Sequence, residues 1–309
     1  MRKALTNTLI ELAERDERVI LLTADLGFMV LEPFRERFPK RFLNVGVAEQ
    51  NMIGVATGLA EAGFTPFVYS IVTFASLRTY EFIRNGPILH QLPVRIAGIG
   101  GGFEYADAGP THHGLEDIGV MRLQPGITVV APADSAQAKS VILETWNLPG
   151  PVYYRFGKDD NLVVNGLEGR FKLGEAQVVR SGNDVLIISM GAISAEAVSA
   201  AEMLSAQGIE STVAVVASIN PPPVNDLVAL LERFPTAFVV EAHYVSGGVG
   251  SLISEIVAEH NLNCRVIRCG VRQTPDGFSG SQTYFYDKHE LSAPHLVRVV
   301  RDALQVTSR

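Results

Sequence analysis

Apolar residues recur at helical spacing through Leu5, Leu9, Leu12 and Ala13, and the run Val19-Ile20-Leu21-Leu22 that follows reads as a short buried strand. The pairing of periods then repeats. Residues 42–47 predict a strand, 52–62 a helix, 65–70 a strand and 76–88 a helix. Strands at 94–99, 127–131 and 151–155 follow, with a glycine-rich loop after the first and a helix at 135–146 before the last. Between residues 157 and 182 the periodicity fades into Lys, Asp, Asn and Gly. A second alternation then begins, with strands at 184–188, 212–216, 237–240 and 264–267 and helices at 195–206, 224–233 and 249–260. Strands alternating with helices of this length predict parallel sheets covered by helices. The expected fold is α/β, with two doubly wound domains, each a mostly parallel sheet with helices on both faces. They span residues 1–160 and 181–309, joined by a linker at 161–180.

Composition narrows the function classes. The 309 residues suffice for about two domains, and 47% hydrophobic with 19% charged residues is the balance of a globular chain with a sizeable core. A net charge of −7 argues against a nucleic-acid surface. The two cysteines, Cys264 and Cys269, lack zinc-ligand spacing and read as reduced structural residues. The N-terminal stretch MRKALTNTLIELAERD has no signal-peptide apolar core, and no run approaches the ~18 apolar residues of a membrane span. A soluble, cytoplasmic protein with no nucleic-acid or membrane partner is expected.

Some chemical signatures fail. Gly98-Ile99-Gly100-Gly101-Gly102-Phe103 follows a strand, but the third glycine of a dinucleotide fingerprint is missing, and residues 103–114 carry a proline and glycines where a helix belongs. Gly277-Phe278-Ser279-Gly280 misses the nucleophile elbow. His112 and His113 are adjacent without metal-ligand spacing, so no metal site is expected in this chain. Gly247-Gly248-Val249-Gly250 opens a helix, where free amides suit an anion and glycines suit a tight turn. The loop 107–114 sits beyond a strand end, where α/β sheets place ligands, and presents Asp107, Thr111 and His112 beside Pro110. Glu49 is an acid among small and apolar neighbours in NVGVAEQNMIGVATGLAEAG (44–63). It is either a first-turn acid complementing a helix dipole or a carboxyl kept there for chemistry.

TADLG at 23–27, VGVAEQNM at 45–52, TFASLRTY at 73–80, AGPTHHG at 108–114 and APADS at 131–135 belong together. Their order and spacing resembles the C-terminal half of transketolase and the matching half of deoxyxylulose-phosphate synthase. The resemblance runs from residue 2 to about residue 305, through YYRFGK, EAHYVSGGVGS and GSQTYFYDKH. It implies a thiamine-diphosphate pyrimidine-binding domain followed by a transketolase-like C-terminal domain. The Gly-Asp-Gly motif of the family's diphosphate-binding domain is absent from these residues. The implied enzyme is split: a partner subunit carrying Gly-Asp-Gly supplies the diphosphate site and Mg2+ or Ca2+, in an α2β2 heterotetramer. The implied reaction moves a two-carbon ketol unit from a ketose or its phosphate to an aldose. The alternatives are the β subunit of a 2-oxoacid dehydrogenase, a deoxyxylulose-phosphate-synthase-like enzyme, and a non-catalytic relative of the fold. The GPTHHG loop favours ketose chemistry, and Glu49, Asp25 and His112 together argue against a non-catalytic relative.

By the same resemblance, Glu49 hydrogen-bonds the pyrimidine N1′ of thiamine diphosphate and favours the imino tautomer that deprotonates the thiazolium C2. Such an acid belongs in a dry site, where burial raises its pKa. Phe74 and Tyr80 match aromatics around the pyrimidine, with Leu77 where the family has a further aromatic. Asp25 matches an acid near the thiazolium. His112 matches a histidine that contacts the donor ketose and relays protons, while Arg155 and Arg2 match arginines that bind the acceptor's phosphate. Gly100 stands where transketolase has a phosphate-binding histidine. Ala108, with Asp107 one place off, stands where an acid reads the acceptor's 2-hydroxyl. Losing such an acid changes specificity, so an unusual acceptor sugar is expected.

Overall fold

The computed structural model describes residues 1–307. The first half runs α1 (Arg2–Arg15), β1 (Val19–Thr23), α2 (Glu32–Arg37), β2 (Phe42–Asn44), α3 (Glu49–Glu61), β3 (Thr65–Ile71), α4 (Val72–Ser76) and α5 (Tyr80–Ile83). It continues through β4 (Arg95–Ile99), α6 (Asp117–Arg122), β5 (Thr128–Val130), α7 (Ser135–Thr145) and β6 (Val152–Phe156). The second half runs β7 (Gln177–Arg180), β8 (Val185–Met190), α8 (Ser194–Ser205), β9 (Ser211–Val215), β10 (Ser218–Asn220), α9 (Val224–Leu231) and β11 (Thr236–Tyr244). It closes with α10 (Val249–Glu259), β12 (Arg265–Val271), α11 (Gln282–Lys288) and α12 (Ala293–Thr307).

Two sheets result, in the orders β10-β5-β6-β4-β3-β1-β2 and β12-β11-β8-β9-β7. Every pairing is parallel except those of the edge strands β10 and β7. The α/β reading of the sequence therefore holds. Strands β1, β3, β4 and β6 are buried along their whole length, which is why they read as apolar runs and not as alternation. Arg95 lies inside β4 and is tolerated because its guanidinium donates to the carbonyls of Trp146, Leu148 and Gly150 beyond α7.

The structure departs from the periodicity in three places. The strand expected over 42–47 ends at Asn44, whose side-chain oxygen accepts the amides of Asp25 and Gly46 and turns the chain toward α3. The helix expected over 76–88 is broken into α4, α5 and a π-turn at 84–88 that contains Pro87. Both antiparallel edge strands escaped sequence reading, being short and irregular in register. β7 falls in the stretch expected as linker, and β10 crosses back from the second half to pair with β5 of the first sheet.

The carboxyl ends of the two sheets meet. The Leu115 carbonyl accepts the Tyr244 amide at 2.9 Å, and an atom added as Cβ at Gly102 would lie 2.7 Å from the Ala242 side chain. Only glycine permits that approach.

Candidate functional site

Strands β4, β3, β1 and β2 are neighbours in the first sheet, and their carboxyl ends carry the segments singled out above. Glu49 opens α3 after β2, Phe74 lies in α4 after β3, Asp25 follows β1, and the loop with His112 follows β4. Open α/β sheets form ligand sites at this edge.

Glu49 is 1% exposed. Its carboxylate leaves the amides of its own helix alone. One oxygen accepts from Ser70 Oγ at 3.3 Å and the other from Arg78 Nη1 at 2.5 Å. The carboxylate is therefore not the cap of its own helix. Arg78 is 41% exposed and lays its guanidinium over the Phe74 ring, 4.2 Å from the centroid. The same ring meets His112 edge-on at 5.1 Å, and Thr111 Oγ1 lies 2.9 Å from His112 Nδ1. Glu49 is thus joined to Phe74, and through that ring to His112, by Arg78, which sequence reasoning passed over. Its signal was available: it stands four residues after Phe74 in TFASLRTY, a spacing that brings side chains together on a turn.

The other expected residues are placed differently. Asp25 is exposed, in the left-handed region at φ 57°, and its carboxylate accepts from Asn44 Nδ2 at 2.9 Å. Tyr80 packs against the core of the first sheet, and its hydroxyl accepts from Gln124 Nε2 at 2.5 Å. Arg2 donates from Nε to the Lys158 carbonyl at 2.9 Å, with Asp160 at 3.9 Å. Leu77, in place of the family aromatic, is exposed.

Arg155, expected on the substrate side, is enclosed instead, at 4% exposure. Nε contacts Asp117 at 3.0 Å, and Nη2 donates to the carbonyls of Gly114 at 2.8 Å and Ala242 at 2.9 Å. Burial works against its charge, and the Asp117 carboxylate, joined by Tyr153, outweighs that cost and raises its pKa. Here Arg155 ties the His112 loop to β11. His243 extends the seam: Nε2 accepts the Gly119 amide at 3.2 Å while Nδ1 faces the Tyr244 carbonyl at 2.7 Å. Burial holds its pKa down.

The position of the missing histidine is filled. A Cβ at Gly100 would fall 2.1 Å from the Tyr105 ring, and Lys158 sits over that ring at 4.5 Å while reaching Asp107 at 4.0 Å. His113, unlike His112, is buried edge-on to Phe103 and Phe285, and burial lowers its pKa.

The Gly247–Gly250 turn is not an open anion site. The Glu241 carboxylate already accepts the amides of Val249 at 2.8 Å and Gly250 at 3.0 Å. Burial nevertheless pushes the Glu241 carboxyl up from 4.5 to about 7, against those amides. Since the fold favours the protonated form, this group makes the protein lose stability as pH rises from 4.5 through about 7. Glu241→Gln cannot ionise and is expected to lose less. Its stability relative to the native chain should rise by on the order of 2 kcal/mol between about pH 5 and 8, read from urea unfolding at each pH. A constant difference would show that Glu241 ionises as freely in the fold as outside it.

Among the described residues no group of three or more His, Cys, Asp or Glu could hold a metal ion, and no helix is long and apolar enough to cross a membrane.

Comparison with known proteins shows the family. The transketolase pyrimidine-binding domain family matches residues 1–161, and the transketolase C-terminal domain family matches residues 174–295. A putative transketolase C-terminal section from Methanocaldococcus jannaschii is 37% identical, covering 88% of this chain and 86% of that protein. The 6-deoxy-6-sulfo-D-fructose transketolase subunit SqwH of Clostridium sp. is 36% identical, covering 99% and 94%. A solved split-gene transketolase, described as an inactive beta4 tetramer, superposes with a TM-score of 0.87 at 34% identity, covering 98% and 97%. The chain belongs to the transketolase family and matches the family's split subunits along nearly their whole length.

Proposed function

We propose that this chain is the pyrimidine-binding subunit of a two-chain transketolase, which moves a two-carbon ketol unit from a ketose to an aldose with thiamine diphosphate. We assign residues 1–160 to pyrimidine binding and 181–309 to the C-terminal domain. The observation that carries the reading is the slot between Phe74 and Glu49. A planar guanidinium fits there, over the ring at 4.2 Å and donating to the carboxylate at 2.5 Å. An aminopyrimidine, also planar and rich in N–H groups, suits the same place once Arg78 yields it.

When bound, thiamine diphosphate supplies the electron sink for carbon–carbon cleavage. Glu49, buried and accepting from Ser70 Oγ, would hold the proton shared with the ring nitrogen. Phe74 would orient the ring by stacking, Tyr80 would add a further aromatic to the pocket, and Asp25 would place a negative charge beside the positive thiazolium. His112, at the edge of Phe74, would move protons at the donor's hydroxyls. Arg2 remains partly open to an acceptor's phosphate, whereas Arg155 keeps the loop in place. Tyr105 over Gly100 and the outward Asp107 support acceptors other than ordinary pentose phosphates.

A partner chain with Gly-Asp-Gly would bind the diphosphate and Mg2+ or Ca2+, in an α2β2 assembly. Exposed Phe28, Met29 and Val47 border Asp25 and Glu49, where a covering chain would bury them. The buried, unpaired Cys264 and Cys269 suit the reducing cytoplasm.

The test is co-expression with such a partner and assay of the purified complex with thiamine diphosphate, Mg2+ and a panel of ketoses and aldoses. Ketose-dependent transfer by the complex and none by either chain alone is expected. A complex inert toward every ketose but active on a 2-oxoacid would reject the reading.

A further inference from the structure

The loop from Gly102 to Gly114 carries His112, yet its buried side chains belong to the core of the second domain. Its ends are closed on each other, the Gly102 and Gly114 amides each donating to the other's carbonyl at 2.8 Å. Near its start Glu104 takes the Lys158 amide. Beyond that point the backbone bonds are mostly those of short turns within the loop, which shape it without fixing it in space. The exception is the Ala106 carbonyl, which accepts at 3.2 Å from Gly280, in the segment leading into α11. Phe103, Ala106 and Leu115 pack in one cluster with residues of the second sheet and of α11 and α12.

Two rings of the loop make the contact with α11. Phe103, 1% exposed, stacks on Phe285 at 4.9 Å and lies flat on His289 at 5.1 Å and 3°. His113, 4% exposed, meets Phe103 and Phe285 edge-on at 5.2 and 4.8 Å. Neither His113 ring nitrogen makes a hydrogen bond among the described residues, and burial keeps the ring toward its neutral form. Packing against α11 is therefore what holds it. The helix is itself held: Ser281 Oγ caps its start by accepting the Tyr284 amide at 3.1 Å, while Phe285 and Tyr286 pack with Leu291, Leu296 and Val300. The consecutive histidines leave the chain toward different neighbours, His113 into this stack and His112 to the edge of the Phe74 ring at 5.1 Å. We propose that α11 is the positioning element for His112, with Phe285 and His289 fixing the loop through Phe103 and His113. The C-terminal domain thereby takes a part in the chemistry. That consequence rests on the ketol-transfer reading, whereas the placement of the ring does not.

The experiment is NMR of the full-length chain labelled with 13C in histidine. The His112 ring signal is identified by its loss in His112→Gln, and its displacement by the Phe74 ring current by comparison with Phe74→Leu. Phe285→Ala is expected to move the His112 signal toward its position in Phe74→Leu, and Phe285→Leu, which keeps apolar volume, to move it less. His289→Ala, which removes a half-buried ring and leaves no enclosed cavity, should move it likewise and serves if Phe285→Ala unfolds. A His112 signal unmoved in both alanine variants overturns the proposal, whatever reaction the chain serves. In the complex assayed with a ketose, Phe285→Ala should lower kcat by about 10–100-fold, the scale of a small misplacement, with donor KM and cofactor affinity nearly unchanged. On a His112→Gln background the same substitution should cost nothing further. Equal losses with and without His112 would overturn the proposal by making α11 a general support. A complex inert toward every ketose would reject the ketol-transfer reading instead, and the NMR signal would still decide the placement.

Discussion

Glu49→Gln in the complex reconstituted with its partner is expected to lower turnover by about 10²–10⁴-fold, the range lost with a general acid–base group. The substitution preserves shape and volume. Ser70 can still donate to the amide oxygen, so the slot beside Phe74 should persist. What disappears is the ability to share a proton with a ring nitrogen. An amide neither accepts a proton at neutral pH nor stabilises a protonated ring by charge. Cofactor affinity, measured separately by calorimetry, should therefore change far less than turnover. A control comes from Arg78→Met, which removes the guanidinium that fills the slot. It should leave turnover largely intact, because Arg78 must leave whenever the ring enters. If Glu49→Gln turns over normally, or if Arg78→Met is as damaging, the carboxylate is not the proton holder and the pair is only structural.

The features legible in the sequence were those with local signatures. Buried parallel strands read as apolar runs, and the short motifs that carry Glu49, Phe74 and His112 follow strands of one sheet, at whose carboxyl edge the structure brings the three together. Arg78 lay inside a recognised motif yet its role depends on where its guanidinium goes, which spacing alone does not state. The enclosure of Arg155 was not legible for a related reason. A motif arginine suggests an anion, but its anion here is Asp117, on α6 and distant in sequence from β6. The edge strands were illegible because β10 joins a sheet built from the other half of the chain, so its partner carries no local signal. Glu241 filling the Gly247–Gly250 turn is likewise a contact that only the fold creates.

Asp117→Ala is expected to cost about 3–5 kcal/mol of stability, the penalty for leaving one member of a buried ion pair uncompensated. Asp117 and Arg155 are 1% and 4% exposed, and the aspartate also accepts from the Tyr153 hydroxyl at 2.9 Å. Removing it strands a guanidinium and a phenol away from water, and neither can rotate to solvent from inside β6. Urea unfolding should show a lower midpoint. A second consequence separates this pair from an ordinary core contact. Arg155 bridges the Gly114 carbonyl, two residues beyond His112, to the Ala242 carbonyl on β11, so a displaced guanidinium releases the loop from the second sheet. Amide hydrogen exchange of residues 109–115 should accelerate in Asp117→Ala more than in the body of β6. The double variant Asp117→Leu with Arg155→Met removes both charges, and should recover much of the stability while leaving the loop exchanging fast. If the double variant restores slow exchange as well, the loop is held by packing alone and the bridge through Arg155 contributes nothing to its position.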